Sequence, residues 1–404
     1  MRNAGPVLLA LSALASGACS PRDPTPPPAP ASAPVASGLA APREHPCAAP
    51  VPLGPDVHRG LCLAHSYAGG GARGYGSASS AAELRRLRDL GATWVSLTPF
   101  GYQDRLDATR VRGLYERGSG RWESAGETDE RLVGEIRAAH GLGLKVLLKP
   151  HLWVGRGAWR AEIDPGTTEG WRRWQASYGA FLQHYAELAS REGVALLAVG
   201  TELRSSALRF PDWWRRLVRQ VRAVYDGELT YAANWDEAEQ VTFWRDLDYV
   251  GVNFYPSLAE TPEDPEDAKR RRLEAALDRL DALAARTGRP LLLTEVGYKS
   301  CRGTEVRPYE WTERIRDGDA PDEAAQARAY RRLLRAVAQR PHIRGVYVWK
   351  WFTDPASREE GPLGFSPRGK PAEDELRAAF GACASRAARP ATTPGQLSAP
   401  AHAR

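Results

Sequence analysis

The sequence predicts a (β/α)8 barrel, because short apolar runs alternate with helical stretches along most of its 404 residues. Runs of four to seven apolar residues are typical of strands buried on both faces of a parallel sheet. Eight occur: Gly60–His65, Trp94–Pro99, Lys145–Pro150, Ala195–Gly200, Leu229–Asn234, Asp248–Phe254, Leu291–Thr294 and Gly345–Trp349. Apolar residues at helical spacing fill six segments between them: Ala81–Leu90, Asp129–His140, Trp171–Glu192, Pro211–Tyr225, Ala268–Arg286 and Pro321–Gln339. This repetition favours a closed barrel with long loops.

An open doubly wound sheet is the main alternative fold. It would normally have fewer strands and a phosphate-binding turn after the first one. The stretch Gly69–Gly76 is rich in glycine but lacks the P-loop lysine, so it is better interpreted as a flexible first loop. Gly91, Gly193 and Gly288 follow three of the predicted helices, where C-caps are expected.

The composition excludes several function classes. The net charge of +6 comes from arginines scattered over predicted helices, and only six residues are lysine. No nucleic-acid recognition motif accompanies them, and the basic cluster Lys269–Arg272 directly follows the acidic run Glu263–Asp267. Eight scattered histidines, with no C-x-x-C or H-E-x-x-H motif, predict no dedicated metal site. We therefore expect neither a nucleic-acid partner nor a bound metal.

The first 19 residues predict an export signal. Arg2 precedes the apolar stretch Pro6–Ala15, which is too short to span a bilayer of about 30 Å. Small residues then lead to Cys19, and this pattern resembles a bacterial lipoprotein signal that is cleaved before a lipidated cysteine. The match departs at Ser16, where such signals usually carry leucine. An ordinary secretory signal is the alternative.

A tether and a tail flank the predicted globular region. Residues 20–50 include ten prolines and eight alanines, which predicts a stiff, extended tether between an anchor and one domain at residues 51–383. Residues 384–404 are again rich in Ala, Pro and Ser, which predicts a disordered tail. The expected location is the bacterial cell envelope, lipid-anchored at the outer membrane or facing the periplasm. Secretion is the alternative.

Four cysteines remain after Cys19, namely Cys47, Cys62, Cys301 and Cys383. An even count in an exported protein permits two disulfides, with three possible pairings. Because Cys47 and Cys383 flank the globular region, a bridge closing its two ends is the first expectation.

The candidate functional residues lie where the predicted strands end, which is where (β/α)8 barrels carry their active sites. In chain order they are Lys149, His151, Trp153, Thr201, Glu202, Asn234, Trp235, Asn253, Tyr255, Glu295, Tyr298, Trp349 and Trp351. Tryptophan rings can stack on pyranose faces, while amides, phenols and imidazole can bond to sugar hydroxyls. Four tryptophans at three strand ends, Trp153, Trp235, Trp349 and Trp351, favour a sugar-binding groove.

Two carboxylates in this set are the candidate catalytic groups. Glu202 and Glu295 each directly follow an apolar strand, where a buried charge is costly unless it is paired or used. The fourth and seventh strands of an eight-stranded barrel face each other across its mouth. Glycoside hydrolysis requires such a pair, with one protonated carboxyl and one carboxylate.

Several ordered motifs resemble one glycosidase family. They are Tyr75–Ser77, Trp94–Gln103, Leu148–Trp153, Val199–Leu203, Val250–Pro256, Thr294–Tyr298 and Gly364–Ala372. From about Gly60 to Phe380 the chain resembles glycoside hydrolase family 113 of clan A, whose described activity is mainly β-1,4-mannanase.

The resemblance implies a mechanism and three catalytic roles. Glu202 would be the acid/base, Glu295 the nucleophile, and Tyr255 the residue that orients Glu295. Double displacement without a cofactor would follow, with Glu202 holding a proton in the free enzyme and the two carboxyls about 5–5.5 Å apart. Thr201 departs from the clan, which usually has asparagine there to bond the sugar 2-hydroxyl.

Three alternatives remain open from the sequence. Another clan A β-glycosidase specificity is the nearest, followed by a sugar-binding lipoprotein without turnover and by a structural lipoprotein of the envelope. We expect a monomer that binds a polysaccharide or oligosaccharide, touches the membrane only through its N-terminal lipid and uses no cofactor.

Overall fold

The computed structural model describes residues 52–67, 72–113, 115, 127–311, 320–357 and 359–381. These residues form eleven strands: β1 (His58–Ala64), β2 (Trp94–Leu97), β3 (Phe100–Gln103), β4 (Arg112–Gly113), β5 (Lys145–Leu148), β6 (His151–Val154), β7 (Leu196–Thr201), β8 (Glu228–Asn234), β9 (Val250–Asn253), β10 (Leu291–Val296) and β11 (Ile343–Phe352). Eight of them close into a parallel barrel in the order β1-β2-β5-β7-β8-β9-β10-β11, with β11 paired back onto β1. All eight predicted runs fall on these strands, so the (β/α)8 prediction is confirmed.

The described residues also form eight α-helices around the barrel. They are α1 (Ala78–Asp89), α2 (Asp129–Gly141), α3 (Thr168–Arg191), α4 (Arg204–Arg209), α5 (Pro211–Arg222), α6 (Glu266–Thr287), α7 (Glu323–Val337) and α8 (Pro371–Ala379). Six match the predicted helices, whereas the short helices α4 and α8 were not predicted. Gly193 and Gly288 adopt φ angles of +64° and +67° just after α3 and α6. Only glycine takes this left-handed conformation without strain, which explains both helix ends.

A second, three-stranded sheet stands above one side of the barrel mouth. β3 and β6 follow β2 and β5 after breaks at Pro99 and Pro150, whose missing N–H groups interrupt the ladder. They pair in parallel, with Phe100 opposite His151, and β4 pairs antiparallel with β3. This sheet was not predicted, and it raises the wall of the mouth beside the second and third barrel strands.

The core has two layers. The larger lies between strands and helices, and the smaller fills the barrel with Cys62, Trp94, Leu147, Leu196, Leu292 and Tyr347. Interior packing is tight at Gly60 on β1, where an added Cβ would lie 2.3 Å from Cδ1 of Tyr347. A glycine is therefore required where the Tyr347 ring crosses the barrel floor.

Cys62 is a buried, reduced thiol on β1. Its Sγ donates to the Thr294 carbonyl at 3.7 Å, and burial raises the pKa of the thiol to about 12. A free Cys62 excludes two disulfides among the four cysteines. Cys301 is buried and forms a β-bridge with Pro321. Cys47 and Cys383 lie outside the described residues, so their bridge stays a prediction.

The predicted signal, the lipidation site at Cys19 and the predicted tether also lie outside the described residues, as does the predicted tail. None of the helices that the structure describes is long and apolar enough to cross a bilayer.

Candidate active site

Irregularities in the strand ladder place the two candidate carboxylates at the mouth. The pairing of β10 with β9 shifts register between Leu293 and Glu295, and that of β7 with β8 shifts between Ala198 and Thr201. Such bulges redirect the side chains that follow them. Glu202 then adopts a left-handed backbone with φ +54°, a conformation that costs a non-glycine residue about 1–3 kcal/mol. Strain of this kind clusters at functional sites, and here it sets the direction of Glu202.

Glu295 is buried and held at both carboxylate oxygens. Lys149 Nζ donates to Oε1 at 2.5 Å, and the Tyr255 hydroxyl donates to Oε2 at 3.0 Å. Burial raises the pKa of Glu295, while Lys149 opposes that rise by stabilising the charged form. Burial and the charge of Glu295 together raise the pKa of Tyr255 well above its usual value, so the phenol keeps its proton and acts as a donor.

Glu202 is held by a separate pair of donors. Asn253 Nδ2 donates to Oε1 at 2.9 Å, and Arg160 Nη1 donates to Oε2 at 2.5 Å. The Thr294 hydroxyl fixes the amide of Asn253 by donating to its Oδ1 at 2.9 Å. Both donors suit a charged carboxylate. The contact between Arg160 and Glu202 could not be foreseen from the sequence.

His151 is buried beside Glu295 with open hydrogen-bonding capacity. Its Nε2 lies 3.6 Å from Glu295 Oε1, and neither ring nitrogen has a hydrogen-bond partner among the described residues. Burial, followed by the charge of Lys149, lowers the pKa of His151 well below its usual value, so the ring is neutral. It lies parallel to the Trp349 ring with centroids 6.0 Å apart. Neither ring nitrogen is exposed, so the expected contact of His151 with substrate stays a prediction.

Aromatic side chains rim the mouth on both sides. Trp153 on β6 is 41% exposed and packs edge-on against Phe100. Trp235 stacks on Tyr309 with centroids 5.4 Å apart and lies 6.3 Å from the Tyr255 ring. The mouth therefore presents flat apolar surfaces around two carboxylates.

Two predicted site residues point elsewhere. Trp351 is fully buried on the outer face of the barrel, where its Nε1 donates to Glu83 of α1 at 2.7 Å. Tyr298 packs against Tyr330 of α7 with centroids 5.3 Å apart. The structure does not bring either ring to the mouth.

Two further predicted residues have their side chains engaged within the protein. The Thr201 hydroxyl donates to the Pro150 carbonyl at 3.3 Å, and Asn234 Nδ2 donates to Glu237 Oε2 at 3.4 Å. The Thr201 hydroxyl is thus already bonded to the backbone. Other members of the clan usually have asparagine at this position, which bonds the sugar 2-hydroxyl.

Another buried carboxyl, Glu127, was not among the residues predicted from the sequence. Its Oε2 accepts from the Tyr67 hydroxyl at 2.8 Å and its Oε1 from the Phe100 amide at 3.2 Å. Burial raises the pKa of Glu127 to about 8. No pattern marks Glu127 or Arg160, since each lies in an irregular segment among many other charged residues. Within the described ranges, no group of three or more His, Cys, Asp and Glu side chains could hold a metal ion.

Comparison with known proteins identifies the family. The model of Glycoside Hydrolase Family 113 matches residues 65–365. The chain belongs to glycoside hydrolase family 113. This membership makes the protein a glycoside hydrolase, and it fits a barrel whose mouth holds two carboxylates.

Solved structures of family 113 share the fold. A GH113 β-1,4-mannanase solved as a complex is 25% identical, with a TM-score of 0.68 over 80% of this chain and 98% of its own. The GH113 β-mannanase AaManA from Alicyclobacillus acidocaldarius, in complex with ManMIm, is 27% identical. Its TM-score is 0.67, over 81% of this chain and 97% of that chain. No curated protein matches the sequence.

Proposed function

We propose that this family 113 hydrolase cleaves β-1,4-linked mannan or manno-oligosaccharides with retention of configuration. The proposal is carried by the different surroundings of the two carboxyls. Glu295 is fixed at both oxygens by donors that favour its charged form, as a nucleophile requires. Glu202 is slightly more exposed, and one of its two partners is a long, flexible arginine side chain.

In the first step, Glu295 attacks the anomeric carbon and the glycosidic bond breaks. Glu202 delivers its proton to the departing oxygen, so the leaving sugar departs as an alcohol and Glu202 is left charged. In the second step, Glu202 takes a proton from water, whose oxygen bonds to the anomeric carbon and releases Glu295. Arg160 and Asn253 can stabilise the charge of Glu202 between the two steps.

Mannan is supported as the substrate by the solved relatives, which are β-1,4-mannanases about a quarter identical to this chain. The rim tryptophans suit the apolar faces of pyranose rings. Purified protein should therefore release sugars from β-mannans faster than from β-glucans or xylans. A preference for glucan or xylan would contradict the substrate assignment.

The acid/base role is tested with Glu202→Ala. This variant should lose far more rate on substrates with poor leaving groups than on activated aryl glycosides, because only poor leaving groups need a proton. Added azide should restore turnover and yield an azido-sugar. Asp236→Ala is the matched control, because Asp236 also follows a strand but forms an exposed ion pair with Arg204 at 3.1 Å. Equal loss on both substrates without rescue would assign the acid to another residue.

The nucleophile role is tested by trapping. A fluorosugar should label Glu295 in the wild-type protein, and Glu295→Gln should fold but take up no label. Early products from a β-linked substrate should be β-anomers by NMR. Early α-anomers, or a label on another residue, would contradict a retaining mechanism through Glu295.

We further propose that the mature protein is attached to the cell envelope through lipidated Cys19. The short apolar segment ending at Cys19 and the proline-rich stretch after it support this location. Residues 20–50 would then act as a spacer between the bilayer and the barrel.

A further inference from the structure

The strained backbone at Glu202 is held by the neighbouring strand β8 at two successive N–H groups. The Glu202 N–H donates to the Ala232 carbonyl at 2.8 Å, and the Leu203 N–H donates to the Tyr231 hydroxyl oxygen at 2.8 Å. These bonds lie on either side of the left-handed φ of +54° at Glu202. A non-glycine residue keeps such a conformation only where its surroundings fix the backbone around it. Tyr231 therefore provides one of the two bonds that fix it.

Tyr231 belongs to the core layer between the strands and the helices, where it is fully buried. Its ring packs against Trp214 of α5 and against Phe243, with centroids 5.3 Å and 5.5 Å away. Strand β7 leaves room for the ring at Gly200, where an added Cβ would lie 2.9 Å from Tyr231 Cε2. The ring is thus fixed on all these sides. Because it is buried in this layer, Tyr231 can affect catalysis only through other residues.

The Tyr231 hydroxyl is oriented in turn by Glu237, which follows β8. Since the phenol oxygen accepts from Leu203, its single O–H donates to Glu237 Oε1 at 3.3 Å. Glu237 is fully buried, and Asn234 holds it by donating from Nδ2 to Oε2 at 3.4 Å and by accepting from its N–H at 3.1 Å. Burial, followed by the charge of Glu237, raises the pKa of Tyr231 well above its usual value, so the phenol keeps the proton that it donates.

We infer that Tyr231 and Glu237 are positioning residues for Glu202, which fix the Leu203 backbone and thereby the direction in which Glu202 presents its proton to the leaving oxygen. This inference rests on the proposed acid/base role of Glu202 and deepens it. Both side chains are fully buried, and neither contacts the nucleophile Glu295. Loss of the pair should therefore impair proton transfer and leave the attack by Glu295 in place.

The test is Tyr231→Phe, which removes the hydroxyl and keeps the ring. It compares a β-1,4-manno-oligosaccharide, whose leaving sugar needs a proton, with an activated aryl glycoside of the same glycone, whose leaving group does not. The ratio of kcat/KM for the oligosaccharide to kcat/KM for the aryl glycoside should fall roughly ten- to a hundredfold, since a displacement of about 1 Å costs about a hundredfold. For the aryl glycoside, kcat and KM should fall together, because Glu202 is also the base of the second step, which then limits turnover.

Three further variants complete the experiment. Tyr225→Phe is the matched control, because Tyr225 is also buried and its hydroxyl donates at 2.9 Å to the Val194 carbonyl, near the opposite end of β7. It should keep the wild-type ratio. Glu237→Leu removes the acceptor of Tyr231 and should lower the ratio as Tyr231→Phe does, whereas Glu237→Gln keeps an acceptor oxygen and should retain most of the ratio. Tyr231→Phe combined with Glu237→Leu should lose no more than the larger single loss, because both act through one hydrogen bond.

The kinetic ratio distinguishes positioning of Glu202 from support of the fold. Equal losses on both substrates in Tyr231→Phe would make Tyr231 a structural residue and overturn the inference, as would an unchanged ratio. Additive losses in the combined variant would separate Glu237 from Tyr231 and overturn the pair. If Tyr231→Phe does not fold, Glu237→Leu is put to the same test. Glu202→Ala is the reference, and a ratio unchanged in that variant would overturn the proposed acid/base role itself, before Tyr231 is considered.

Discussion

Replacing Lys149 with methionine should move the acidic limb of the pH–rate profile to higher pH. Lys149 is fully buried, and its Nζ lies 2.5 Å from Glu295 Oε1. Burial already raises the pKa of Glu295, and Lys149 is the strongest influence that opposes the rise. Without Lys149, Glu295 holds its proton to higher pH, and a protonated carboxyl cannot attack the anomeric carbon.

The expected loss of activity at low pH follows from the contact between Lys149 Nζ and Glu295 Oε1. An opposite charge within hydrogen-bonding distance lowers a carboxyl pKa by about 1–3 units, and each unit corresponds to about 1.4 kcal/mol. Loss of one such interaction should lower kcat/KM on the acidic limb by roughly ten- to a thousandfold, with recovery as the pH rises. Methionine has nearly the volume of lysine, so the barrel interior should still pack.

The assay is kcat/KM against pH with an activated aryl glycoside, whose leaving group needs no proton from Glu202. Lys145→Met is the matched control, because Lys145 begins β5, the strand that Lys149 directly follows, but is exposed. The Lys145→Met variant should keep the acidic limb of the pH–rate profile at the wild-type pH. An acidic limb at the wild-type position in folded Lys149→Met would refute the role of Lys149 in keeping Glu295 charged.

Three further predictions concern stability and location. Glu127 has a raised pKa of about 8 in the fold, so its contribution to stability is present below pH 4.5 and is lost as the pH rises through 8. Over this range the free energy of unfolding should fall by at most roughly 5 kcal/mol. Urea unfolding at pH 5 and pH 8 should show a smaller difference in Glu127→Gln than in the wild type. Gly60→Ala should lower the unfolding free energy by about 1–3 kcal/mol and reduce Tm, because the new Cβ meets Tyr347; an unchanged Tm would contradict this packing. Cys19→Ser should release the protein from the membrane fraction, and continued partitioning with membranes would refute lipidation there.

Much of the architecture is a local property of the chain. Apolar runs of strand length and helical periodicity predicted eight strands and six helices, and glycines marked helix ends. Because strands of a parallel barrel all end at one rim, chain position alone also indicated which residues could meet, including Glu202 and Glu295. These inferences depend only on residue patterns within single strands and single helices.

Side-chain direction at the rim was decided by the tertiary structure. Strict alternation predicts that Trp349 and Trp351 face the same way, but β11 shifts register against β1 between the partners of Leu61 and Leu63. Trp351 therefore points outward to Glu83. Comparable shifts precede Glu202 and Glu295 and direct their carboxylates.

The partners of the two carboxylates were also decided by the tertiary structure. Arg160 reaches Glu202 across 42 positions of sequence, and Lys149 reaches Glu295 across 146. Sequence alone established the barrel and the two acids at its mouth. Which cation holds which acid depended on loop paths and ladder irregularities, because those contacts form between segments that have no local pattern in common.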